Sequence, residues 1–313
     1  MAGEVNKYLE QLLQVFWLRP ETALWRTFDC LYMDKYADIH GKSADLGCGD
    51  GVMSYIMSGG KINDYDVFSD VTGLNKYNEG EDIFNCMAEQ PLCLDNSQIR
   101  YNYSFGLDQK NGLINKAKRF TPFYEDTLVY DLNNSLPSET SGLDSAFSNI
   151  LYWLDDPVKV LSNWYSMLNK NGKLILFVPG KKFKEKAWLY YNAPHSGSHK
   201  YLNYFDRRYG DLIKHCYSTS VWSEIFENAG FSISTHKPYL TDSVMEIWNV
   251  GTRPIAPLLI NMAKNLDKSY RDEARKEWKD YFSTFLTPII EGEFDRNPDE
   301  TETAFHFFVL EKK

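Results

Sequence analysis

The sequence predicts an α/β fold, a doubly wound, mostly parallel sheet of seven strands with helical cap insertions. Two observations carry that reading. Short apolar strands alternate with amphipathic helices from Lys42 onward, the pattern of βαβ units. The first strand, Ser43-Ala44-Asp45-Leu46, also runs directly into Gly47-Cys48-Gly49-Asp50-Gly51 and then into a helix over 52–57. A strand, a glycine-rich turn and a helix N-terminus in that order open a doubly wound sheet.

The elements follow in chain order. Val5, Tyr8, Leu9, Leu12, Leu13 and Phe16 repeat at the three-and-four spacing of one helical face. Leu18-Arg19-Pro20-Glu21 interrupts that helix, and a second is expected over 22–36. Beyond the first strand, further strands are expected over 103–107, 127–130, 143–150, 173–178, 231–237 and 304–310. Helices are expected over 113–120, 157–168 and 221–229. Asn169-Lys170-Asn171-Gly172 reads as a turn that stops a helix, and the last two strands read as an antiparallel pair.

Three stretches exceed this minimal core, namely residues 59–100, 181–218 and 239–303. The last carries two helical faces. One is built on Ile255, Leu258, Leu259, Met262 and Leu266, the other on Ala274, Trp278, Tyr281, Phe282, Phe285 and Ile289. The organisation is therefore an N-terminal helical cap over 1–41, a core over 42–237 with insertions 59–100 and 181–218, a helical insertion over 238–303 and a last core strand over 304–313. The late helices read as cap core or as the face of a homodimer.

Composition narrows the function. The chain has 313 residues, 34 Lys and Arg against 43 Asp and Glu, and a formal charge of −9. An acidic chain has no electrostatic footprint for a phosphate backbone, so nucleic acid is not an expected partner. No apolar run approaches the ~20 residues that span a bilayer. The five cysteines are scattered with no C-x-x-C pair, which points to a reducing, cytoplasmic setting. Aromatic residues reach 15 %, and they crowd the 181–218 insertion, which reads as a lid.

The chemistry concentrates in Asp45-Leu46-Gly47-Cys48-Gly49-Asp50-Gly51. Glycines at this turn let the backbone approach a ligand closely. A pyrophosphate site would read G-x-G-x-x-G, whereas this one reads G-x-G-x-G with an acid two residues before the first glycine. That acid would repel a phosphate and suits a cationic ammonium.

With these motifs the chain resembles a class I S-adenosylmethionine-dependent methyltransferase of Rossmann-like fold, from about Lys42 to Lys237. The resemblance also rests on Gly106-Leu107-Asp108 before a Lys-Ala helix, on Leu151-Tyr152-Trp153-Leu154-Asp155-Asp156-Pro157, and on Asn171-Gly172-Lys173-Leu174-Ile175-Leu176. It implies S-adenosyl-L-methionine as cofactor. Asp45, Gly47 and Gly49 would hold its methionine part. Asp108 would hold the ribose, in competition with Asp70, which lies at the more usual spacing of about 20 residues past the last glycine. Asp131, or less favourably Asp126, would meet the adenine amino group, with Leu132 beside the ring. Asn149 would sit near the reaction centre. The long stretch over 59–100 departs from the family pattern.

Methyl transfer is an in-line displacement, and a general base is needed only for a hydroxyl or a protonated amine. His195 and His199 are the candidates, on Pro194-His195-Ser196-Gly197-Ser198-His199. Proline and glycine between them deny the helical spacing of a metal pair, so no metal is expected. The segment Ser148-Asn149-Ile150-Leu151-Tyr152 lacks the N-P-P-Y-like turn of DNA amino-methyltransferases. The acceptor expected is a small molecule, a glycan or a lipid precursor. Two other functions fit the same residues, a non-catalytic cofactor-binding scaffold and an enzyme using the cofactor for non-methylating chemistry. Arg19, Pro20, Glu21 and Trp25 read as a segment that closes over the cofactor.

Overall fold

The computed structural model describes residues 2–68, 92–187, 214–250, 256–296 and 298–313. Two helices, α1 (Ala2–Val15) and α2 (Pro20–Tyr36), precede β1 (Ser43–Leu46) and α3 (Val52–Met57). Next come the short strands β2 (Lys61–Asn63) and β3 (Cys93–Asp95), then β4 (Tyr103–Asp108), α4 (Asn111–Ala117), β5 (Tyr124–Val129) and β6 (Leu143–Ser148). The second half runs α5 (Pro157–Met167), β7 (Leu168–Pro179), α6 (Phe183–Lys186), α7 (Thr219–Asn228) and β8 (Phe231–Thr241). It ends with α8 (Asp242–Val250), α9 (Ala256–Lys264), α10 (Lys268–Asp295) and β9 (Thr303–Lys312).

Seven of these strands form one sheet in the order β5-β4-β1-β6-β7-β9-β8. The first five are mutually parallel, while β9 runs antiparallel to both β7 and β8, as expected for the final pair. β2 and β3 form a separate antiparallel pair inside the 59–100 stretch.

Helices cover both faces, which is why the central strands read as almost unbroken apolar runs. In β9, Phe305, Phe307 and Val309 join the core beneath α1, α2 and α8, while Phe308 and Leu310 join the core beneath α5 and α7. α2 is buried nearly all round, with Leu24, Phe28, Leu31 and Met33 each no more than 2 % exposed. In α10, Trp278 packs against Trp17 and Phe68, whereas Tyr281 and Phe285 are exposed.

Several strand boundaries differ from expectation: β5 begins at Tyr124 and not at Thr127, β6 ends at Ser148 and not at Ile150, and two others have clear physical reasons. β8 continues past Lys237 through Pro238, which pairs with His306. Proline cannot donate to a ladder, but β8 is the last strand of the sheet, and an edge tolerates it. β7 begins at Leu168 and not at Lys173 because the 169–172 turn is carried within it as an irregularity. Leu143 pairs with Leu168, Ser145 pairs with Lys173, and Asn171 between them has φ +63°. The helix α8 was not anticipated.

α5 starts where the sequence indicates. Asp156 accepts from the Val158 and Lys159 backbone N–H groups at 3.1 and 3.2 Å, with Pro157 in the first turn. Asp156→Ala is expected to lower stability by about 1 kcal/mol, read as a shift in urea midpoint at constant slope.

Candidate functional site

β1 lies between β4 and β6, so the chain order reverses beside it. Open α/β sheets form their ligand crevice at that reversal, outside the carboxyl ends of the strands. The turn after β1 occupies this place. Gly47 has φ +96° and Gly49 has φ +58°, conformations that side-chain-bearing residues rarely adopt. Their surroundings differ. A Cβ on Gly47 would meet Ile150 Cγ1 at 2.5 Å, whereas one on Gly49 would meet nothing within 4 Å. The turn is thus closed on one side and open at Gly49.

The backbone is held from the neighbouring strand. The N–H groups of Gly47 and Cys48 both donate to Leu107 O, at 2.8 and 2.9 Å. The Gly49 N–H donates to Asp108 Oδ2 at 3.2 Å, and the Lys110 N–H donates to Asp108 Oδ1 at 2.8 Å. Asp108, the last residue of β4, therefore joins the turn to the second strand at the carboxyl edge.

Asp45 lies beneath the turn and is 1 % exposed. The Tyr124 hydroxyl donates to its Oδ2 at 2.6 Å. Burial pushes the Asp45 carboxyl up to about 6; hydrogen bonds from Ser54 and Tyr124 hold it back, and the charge of Asp108 adds to the rise.

The remaining candidates are distributed along the same edge. Asp131 follows β5 and is exposed; its Oδ1 accepts from the Asn133 backbone N–H and side-chain amide, both at 3.0 Å. The backbone beside it is fixed by Tyr130 N–H donating to Asp108 O at 2.9 Å. Leu132 is 3 % exposed and packs in the core with Leu46 and Leu107. Asp126 is exposed on β5 and accepts from its neighbour Thr127 N–H. Asn149 is half-buried just after β6, where Ser148 Oγ donates to Leu46 O at 2.8 Å and ties the end of β6 to β1. Asp70, His195 and His199 lie outside the described residues, as does most of the aromatic 181–218 insertion.

Two residues here escaped sequence reasoning. Tyr124 stands at the start of β5, and only the pairing of β4 with β5 brings it to Asp45. Ile150, which closes over Gly47, looked like one more apolar strand residue.

No family model matches the chain, and no curated protein matches its sequence. Several solved structures are similar to it at low identity. The [4+2]-cyclase SpnF is 12 % identical over 93 % of this chain and 80 % of its own, with a TM-score of 0.47. An S-adenosylmethionine-dependent methyltransferase of Thermotoga maritima is 14 % identical over 91 % of this chain and 88 % of its own, with a TM-score of 0.47. A TehB-like S-adenosylmethionine-dependent methyltransferase of Corynebacterium glutamicum is 13 % identical over 91 % and 88 %, with a TM-score of 0.41. Similarity at this level concerns the path of the chain and not the reaction. The strand order and the turn after β1 carry the fold assignment by themselves. The fold is the Rossmann-like fold of class I methyltransferases. No helix among the described residues is long and apolar enough to cross a membrane.

The residues present fit S-adenosylmethionine. The turn offers open space at Gly49, and two carboxylates, Asp45 and Asp108, stand at the same edge.

Proposed function

We propose that this protein is an S-adenosylmethionine-dependent methyltransferase acting on a small-molecule, glycan or lipid-precursor acceptor in the cytoplasm. The observation that supports it best is the buried Asp45 under a turn that is open at Gly49, with Asp108 on the adjacent strand. The ligand such a site selects carries an ammonium and hydroxyls and lacks phosphate. When bound, the cofactor supplies a methyl group made electrophilic by its sulfonium.

The chain's own part is to bind, orient and exclude water. Asp45 would hold the ammonium, Asp108 the ribose hydroxyls and Asp131 the adenine amino group. Gly47 and Gly49 would permit the close approach, and Leu132 and Asn149 would border the site. For an acceptor hydroxyl, His195 or His199 is the proposed base, on sequence grounds alone.

A thermal melt with S-adenosylhomocysteine tests the reading. Ligand at about 100 times its dissociation constant adds ~2.7 kcal/mol, a rise of roughly 5 °C for a chain of this size. The shift is expected for the native protein and not for Asp108→Ala. A native protein unmoved at millimolar ligand would overturn the cofactor assignment. Formation of S-adenosylhomocysteine from S-adenosylmethionine, dependent on an added acceptor, then separates methyl transfer from a scaffold or from non-methylating use.

A further inference from the structure

A second polar cluster lies at the carboxyl edge of the sheet, where Phe305 and Tyr239 stand beside the end of β7. Phe305 of β9 pairs with Pro179, the last residue of β7, and its ring contacts Trp25 of α2 at 4.7 Å and Tyr152 at 5.8 Å. Tyr152 stands in the turn that follows Asn149. This places the middle of α2 over the ends of β6 and β7, beside the proposed reaction centre.

At that point α2 carries an ion pair that its sequence disguises. Arg26 Nη1 donates to Asp29 Oδ2 at 2.6 Å, and the Tyr239 hydroxyl donates to Asp29 Oδ1 at 2.6 Å. Both Asp29 oxygens are therefore engaged, and Asp29 is 1 % exposed. Arg26 is not satisfied in the same way. Among the described residues its hydrogen bonding stops at Nη1, so the side-on fork of Nε and Nη2 makes no hydrogen bond there; the guanidinium lies over the Trp25 ring at 5.5 Å, and 25 % of its side chain is open. Next to it, Trp25 is 8 % exposed and its Nε1 completes no hydrogen bond, although it lies close to Asp29 and Tyr239. The Tyr152 and Tyr239 hydroxyls are within electrostatic reach of the guanidinium.

The unused groups of Arg26 and Trp25 are donors, while each oxygen of Asp29 already accepts a hydrogen bond. A ligand that completes the cluster must supply acceptors and no donor. The side-on fork of an arginine matches two coplanar oxygens, and a buried indole N–H beside it favours the same chemistry. The rings of Trp25 and Tyr152 pack beside the cluster in the core.

We infer that Arg26 receives the carboxylate of the methyl acceptor, and that the substrate class is a small aromatic or apolar carboxylic acid. This rests on the methyltransferase reading above. In this arrangement Asp29 and Tyr239 are positioning residues, which hold Nη1 and leave the fork pointing away from Asp29.

The probes are phenylacetate and its uncharged isostere phenylacetamide, titrated by ligand-observed NMR with and without saturating S-adenosylhomocysteine. Phenylacetate is expected to bind the native protein at least about tenfold more tightly than the amide. Arg26→Lys keeps a cation against Asp29 while removing the fork, and Arg26→Gln removes both. Each is expected to abolish the preference for the acid and to leave the S-adenosylhomocysteine melt shift intact, which also shows that the variant is folded. Equal binding of acid and amide by the native protein, or an undiminished preference in Arg26→Lys, would overturn the assignment of Arg26 and leave the cofactor reading standing. Absence of S-adenosylhomocysteine binding by the native protein would instead remove the methyltransferase reading, and the acceptor role of Arg26 with it.

Discussion

Asp45→Asn is expected to stabilise the ligand-free protein at neutral pH while removing cofactor binding. The carboxyl is buried and titrates at about 6, against 3.8 for an unperturbed aspartate. A carboxyl whose folded pKa is raised contributes stability below its unfolded pKa, and that contribution is lost as pH rises through the folded value. The native protein should therefore lose stability relative to Asp45→Asn between about pH 4 and pH 6. The difference levels off above that window at up to about 3 kcal/mol. Asparagine retains an oxygen to accept the Tyr124 hydroxyl, so the variant removes the charge with little change of shape.

Ligand binding should respond in the opposite sense. An ammonium placed at Asp45 favours the ionised form, so S-adenosylhomocysteine should bind about tenfold more weakly at pH 5 than at pH 7.5 and release a proton in the acid range. In Asp45→Asn the pH dependence should vanish and affinity should fall by about 100-fold or more. Calorimetry at the two pH values measures both. An affinity that does not change between pH 5 and pH 7.5 would show that Asp45 does not meet the ligand's cation.

Much of this site was legible because local chemistry and topology coincide there. A strand followed by G-x-G-x-G has few other structures available. An acid closing an apolar strand, as Asp108 does, falls at the carboxyl edge wherever the strands are parallel. The alternation of strands and helices likewise determined which strands were parallel. What escaped depends on contacts between distant segments. Arg26 and Asp29 are three residues apart on a helix, which in sequence looks like a solvated surface pair. Asp29 is buried because β8 supplies Tyr239 to it, more than two hundred positions away in the chain. In sequence β8 is expected to stop at Lys237, since nothing local shows that the strand lies at an edge, where Pro238 can be carried. Tyr124 and Ile150 carry no local signal in sequence, and their relation to Asp45 and Gly47 exists only once β5 and β6 are in register with the rest of the sheet.

Gly47→Ala and Gly49→Ala should fail in different ways, although the two glycines share one turn. At Gly47 an added methyl meets Ile150 Cγ1 at 2.5 Å and Cδ1 at 2.6 Å, on a backbone with φ +96°. Steric overlap and backbone strain act together, and a loss of about 2–5 kcal/mol is expected. Trimming the neighbour in Gly47→Ala/Ile150→Ala should relieve the overlap and not the strain, so only part of the Gly47→Ala loss should be regained, before the cost of the Ile150 truncation itself. At Gly49 the backbone lies in the left-handed region at φ +58°, which a non-glycine residue occupies at a cost of about 1–2 kcal/mol. No atom stands in the way of its methyl. Gly49→Ala should therefore fold and melt close to the native protein, yet lose the shift with S-adenosylhomocysteine, because the methyl fills the space left for the ligand. Urea denaturation orders the stabilities, and the melt with ligand reads the binding. If Gly49→Ala keeps its full ligand shift, the opening beside Gly49 is not where the cofactor lies, whatever Asp45 and Asp108 do.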